Sequence, residues 1–128
     1  MSAAEFDVPF LADMPPISRS SGLPVELTEA KKAWKQAIKT SRTDASAAAR
    51  AFVRIAESLR AVPSFELTSM RLVALENALE AAAAVGERVQ ITALLRGMSR
   101  TEPELSQGVE RLLRGESEAS PGPELLRV

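Results

Sequence analysis

The sequence predicts an all-α protein, a helical bundle of four to five helices with an extended N-terminal arm and a short flexible C-terminal tail. Composition is the first reason. Apolar residues make up 45% of the 128 residues, enough for one core, and alanine and leucine supply most of them. The second is a shortage of strand-favouring aromatics, which are limited to Phe6, Phe10, Trp34, Phe52 and Phe65. The third is a three- and four-residue recurrence of apolar positions between residues 24 and 115.

Residues 1–23 read as the arm, because Pro9, Pro15 and Pro16 interrupt any helix and residues 18–22 carry turn chemistry. Residues 24–115 form the bundle. Residues 116–128, with Pro121, Gly122 and Pro123, form the tail. No internal repeat of fixed period is visible.

The first helix is expected from Pro24 to Thr40, with Leu27, Ala30, Trp34, Ala37 and Ile38 on one face. Thr43 or Asp44 can cap the second, whose Ala48, Phe52, Ile55 and Leu59 share a stripe. Val62 and Pro63 end it. Ser64 then caps a third helix, with Leu72, Leu75, Leu79 and Ala82 along one face. Gly86 either ends that helix or sits inside a longer one at a cost of about 1 kcal/mol, and a break is favoured. Helical spacing resumes with Val89, Ile91, Leu94 and Leu95, and Gly97 reads as the next stop. Thr101, Glu102, Pro103 and Glu104 fit a capping box opening the last helix. That helix carries Leu105, Val109, Leu112 and Leu113 and ends near Gly115. Short loops favour antiparallel neighbours.

The chain has no histidine, no cysteine and no tyrosine. Most familiar nucleophile, general-base and soft-metal constellations therefore cannot be built, and no catalytic residue, cofactor site or metal site is assigned. No phosphate-cradling glycine loop occurs. Glu76 and Glu80 lie one turn apart, but surface glutamates often do. The expectation is that the protein is not an enzyme. Without cysteine there is no disulfide framework, and no stretch approaches the roughly 20 apolar residues of a membrane span. The acidic N-terminus does not resemble a signal peptide, so a cytoplasmic location is the default.

A net charge of −1 conceals segregation. Residues 1–29 carry −4, residues 30–42 carry +5, and residues 101–128 carry −3. All four lysines lie in the first helix, and Lys31, Lys35 and Lys39 repeat every four residues. With Lys32 and Arg42 they form a basic ridge beside Trp34, a candidate surface for an acidic protein or a phosphate backbone. The plainer alternative is a solvated face whose cations favour the C-terminal end of the helix dipole, or one covered by the acidic arm or tail.

The arm carries Phe6, Val8, Phe10, Leu11, Met14 and Ile17, too apolar for a disordered segment. It should lie extended in an apolar groove, on its own bundle, on another copy or on a different protein. Phe6, Val8, Phe10, Leu11 and Met14 are the candidate anchors. Alanines 47–49 and 81–84 suit close helix packing, either within the chain or between subunits.

Residues 63–99 contain PSFEL, then ALENALEAAAAVGERVQITALLRGMS. A proline-started amphipathic helix, an alanine-rich segment with Val-Gly and a Leu-Leu-Arg-Gly ending resemble the C-terminal half of bacterial type III secretion inner-rod subunits. A second such ending, GVERLLRGE, lies at 108–116. The likeness covers less than a third of the chain, which continues past the point where those proteins stop. It implies a structural subunit or chaperone of a secretion- or phage-like assembly. The functional expectation is a non-catalytic module that binds another protein or itself, a small adaptor, chaperone or structural subunit. The rival is a nucleic-acid-associated helical protein using the basic ridge.

Overall fold

The computed structural model describes residues 11–16, 25–62 and 65–118, and these are helical apart from the arm and the connections. The helices are α1 (Val25–Thr40), α2 (Ala45–Ser58), α3 (Phe65–Ala84), α4 (Arg88–Thr101) and α5 (Pro103–Leu113), with a 3₁₀ turn at Leu59–Ala61 after α2. No strand occurs among the described residues. Pro24 and Ser64, expected to open α1 and α3, lie outside them.

Each helix packs on the next in sequence, and α5 returns to α3. α1 buries Leu27, Ala30, Trp34 and Ala37, and its main neighbour is α2. The contact centres on Trp34 and Phe52, whose rings meet edge to face with centroids 5.5 Å apart. An aromatic side chain that buries about 150–250 Å² is worth several kcal/mol before ordering costs. Asp44 is the cap of α2, its Oδ1 accepting the Ala47 N–H at 3.0 Å. Such a cap contributes about 1 kcal/mol.

α3 departs from the single apolar face expected of it. Leu67 and every residue from Met70 to Leu75 are buried, as are Asn77, Ala78, Leu79, Ala81 and Ala82. α2, α4 and α5 all pack on it, so it is the axis of the fold. Its alanines leave room for that company.

Gly86 ends α3. Its φ is +72°, its N–H donates to Ala83 O, and the Glu87 N–H donates to Ala82 O. This is the paired-bond C-terminal motif that a left-handed glycine permits. Gly115, at φ +95°, repeats it after α5, with Glu116 N–H donating to Arg111 O.

Gly97 does not stop its helix. α4 continues to Thr101, because Ile91, Leu95 and Met98 form one unbroken buried stripe across the glycine. That burial outweighs the roughly 1 kcal/mol that glycine costs inside a helix. Nor is Thr101 a cap. It is the last residue of α4, and its hydroxyl donates back to Met98 O at 3.1 Å. Glu102 occupies the N-cap position of α5 without a side-chain cap bond, because its carboxylate is drawn into the core. Pro103 excludes a continuous helix and opens α5.

Gly108 answers to packing alone. A Cβ there would overlap the end of the Leu72 side chain, so glycine lets α5 approach α3 without displacing that leucine.

Candidate interaction site

The arm is held by α3 and α1. Leu11 is buried in the core, and Met14 packs half-buried against it. Between them, the Ala12 N–H donates to Asn77 Oδ1 at 2.9 Å, while Asn77 Nδ2 donates to Ala12 O at 2.8 Å. Trp34 Nε1 donates to the same carbonyl at 2.9 Å. Asn77 is 2% exposed, and a buried amide needs such partners. At these residues the arm docks on its own bundle, the first of the three alternatives. Leu11 and Met14 are thereby engaged within the chain. Phe6, Val8 and Phe10 lie outside the described residues.

The start of the tail is not loose. Glu76 accepts the Ser117 hydroxyl at 2.7 Å and the Glu118 N–H at 2.9 Å. The Glu118 carboxylate accepts the Ser69 hydroxyl at 2.7 Å and pairs with Arg111 at 3.5 Å. Residues 116–118 are therefore strapped to α3 and α5, and Glu76 is bound into that strap. Glu80 is exposed. Both ends of the described chain thus converge on neighbouring residues of α3, Glu76 and Asn77. A cavity of about 600 Å³ opens between them, with Pro15 and Pro16 on one side, Glu118 on another and Leu72 and Gly108 among its lining.

Arg71 and Glu102 form a buried ion pair, with Nη2 and Oε1 2.7 Å apart and each side chain 5% exposed. The approach is a charge contact, for neither atom makes a well-angled hydrogen bond. Arg71 Nε donates to Ala56 O at 2.7 Å, and Arg60 reaches Glu102 Oε2 at 3.6 Å from the surface. The pair ties the end of α2 and the α4–α5 corner to α3. The sequence holds a signal for it, since position 71 lies midway in the four-residue row Leu67–Arg71–Leu75 and must face the core.

The basic ridge is a surface. Lys31, Lys32, Lys35, Lys39 and Arg42 are all exposed, and none pairs with an acid among the described residues. Trp34 is not beside them on that surface. It is 1% exposed and faces α2, so no aromatic of α1 is presented with the cations.

Among the described residues no cluster of three or more acidic side chains is placed to hold a metal ion, and no helix is long and apolar enough to cross a membrane. No family model, curated protein or solved structure matches the chain.

Proposed function

We propose that the protein is a non-catalytic interaction module that presents the outer face of α1 to an acidic surface of another protein. One observation carries this. Four lysines project from a helix covered on one side only, Arg42 extends them in the turn that follows, and no described acid neutralises them. Exposed like charges at four-residue spacing repel one another by a few tenths of a kcal/mol per pair. An acidic partner would convert that cost into attraction and speed encounter. A role as adaptor, chaperone or structural subunit of a larger bacterial assembly fits this reading. The likeness of residues 63–99 to secretion inner-rod subunits favours such a setting.

Nucleic acid is the competing ligand for the same cations. Against it stand the burial of Trp34, which removes the aromatic that could stack on a base, and a sequence pI near 5.6. Two measurements separate the readings. In gel shift with mixed DNA and RNA, phosphate binding would weaken steeply with salt, with a log–log slope of about 0.9 per neutralised phosphate on duplex DNA. A tight complex with that slope would reverse the ranking. In affinity capture from the native host, proteins retained by the wild type should be lost when Lys31, Lys32, Lys35 and Lys39 are all changed to Gln. Equal retention would remove α1 from the interface.

A further inference from the structure

The cavity between the arm and the tail is apolar at depth and polar at its mouth. Met70, Leu72 and Gly108 are the buried part of its lining, and Pro15 and Pro16 of the arm form one wall. Ser69, Glu104 and Gln107 are exposed at the rim. Ser69 and Arg111 are both engaged by Glu118. Glu104 pairs with no cation among the described residues. The site thus offers an apolar floor with one unneutralised carboxylate beside it.

The chain supplies a segment of matching chemistry. Glu118 lines the cavity and is fixed there by Ser69, Arg111 and Glu76, so the residues after it depart from the rim. Ser120, Pro121, Gly122 and Pro123 follow, and proline then glycine at the central positions favours a type II turn, which reverses the chain. Leu125 and Leu126 come next, the first large aliphatic side chains after Leu113, and Arg127 follows them. Leu125 is seven positions beyond Glu118, a reach of at most roughly 25 Å. The cavity, at about 600 Å³, has the volume of a sphere roughly 10 Å across, so the segment can turn and still return to it.

We infer that residues 124–127 fold back into this cavity, with Leu125 and Leu126 against Met70, Leu72 and the two arm prolines, and Arg127 beside Glu104. Tethering favours this occupant over a second copy. A segment anchored at the rim meets the cavity at an effective concentration in the millimolar range, whereas another chain must deliver the same leucines at the concentration of the protein. Docked in this way, the tail is a strap that closes the cavity and holds the arm against α3 in addition to the Asn77 bonds. The inference does not depend on what binds α1.

Because the chain has no cysteine, Val128→Cys in the full-length protein accepts a single nitroxide label. Methyl NMR should then show broadening concentrated at Met70 and Leu72. In the same labelled protein carrying Leu125→Ser and Leu126→Ser, most of that broadening should be lost, and Glu104→Lys should reduce it by repelling Arg127. Without the label, the double serine variant should shift the Met70 and Leu72 methyl signals and speed amide exchange at Ala12 and Glu118, while exchange within α2 stays unchanged. Serine at both positions lies outside the helices, so loss of the fold does not confuse the result. Equal broadening with leucine and with serine would show a tail that merely wanders near its tether, and would overturn the inference. So would Met70 and Leu72 signals that do not move when residues 119–128 are deleted. Broadening of unlabelled protein mixed with labelled protein, persisting on dilution, would place the tail on a second copy and overturn it as well.

Discussion

α3 and α1 spend their polar side chains in opposite ways. In α3, Arg71 is consumed by Glu102 and Ala56, Asn77 by Ala12, and Glu76 and Ser69 by the tail. In α1 a narrow stripe from Leu27 to Ala37 does the packing, and the lysines meet no described acid. The helix at the axis uses polar groups to fix where other segments lie. The helix at the edge keeps its charges available. A polar residue on a helix therefore means different things according to how many sides of that helix are covered, and each half of this contrast can be attacked by substitution.

The largest effect is expected at Arg71. Arg71→Met leaves the Glu102 carboxylate buried, with only Arg60 near it at the surface. Removing one member of a buried pair typically costs about 3–5 kcal/mol, whereas replacing both by apolar residues is often neutral. Urea denaturation should show that loss for Arg71→Met and recovery of most of it in Arg71→Met/Glu102→Leu. A loss below about 1 kcal/mol in the single variant would mean the pair does not hold the corner. Asn77 comes next. Asn77→Leu removes two hydrogen bonds from Ala12, and an unsatisfied buried group costs about 1–3 kcal/mol. Amide exchange at Ala12 should accelerate far more than exchange in α2. Uniform acceleration would make Asn77 a general core residue and not a latch.

Gly108→Ala should cost less. The added methyl collides with Leu72, an overpacking penalty of about 1–3 kcal/mol, and the gain in helix propensity offsets about 1 kcal/mol of it. Combining it with Leu72→Ala should give a loss smaller than the two separate losses together, since the methyl would fill part of the space vacated. Strict additivity would show that α3 and α5 do not meet there.

How much of this was legible depended on range. The stripe of α1, the Asp44 cap and the Gly86 break follow from residues within one or two turns of each other, and local spacing predicts them. Gly97 and Thr101 mislead because the deciding terms are tertiary, namely burial of Met98 beyond the glycine and capture of Glu102 by Arg71. The Asn77 latch joins residues 65 positions apart, and no local pattern distinguishes that asparagine from a surface one. The inward turn of Trp34 was within reach, since it shares the row of Leu27, Ala30 and Ala37 and not that of the lysines. The cationic ridge was read directly, because four-residue spacing alone defines a helix face.

The smallest effect should come from the ridge itself, and its smallness is what the comparison requires. Changing Lys31, Lys35 and Lys39 together to Gln keeps good helix formers at all three positions. Two terms then oppose each other. Loss of Lys39 from the last turn forfeits its interaction with the helix dipole, worth about 0.3–1 kcal/mol at an exposed site. Loss of two like-charge pairs at four-residue spacing returns about 0.2–0.5 kcal/mol each. These nearly cancel, so chemical denaturation should place the triple variant within about 0.5 kcal/mol of the wild type. Both terms are electrostatic and exposed, so added salt should shrink each of them and draw the two proteins closer still. A loss above about 2 kcal/mol would show the lysines to be structural, bound to parts of the chain that neutralise them, and α1 would no longer stand as the free face of the bundle.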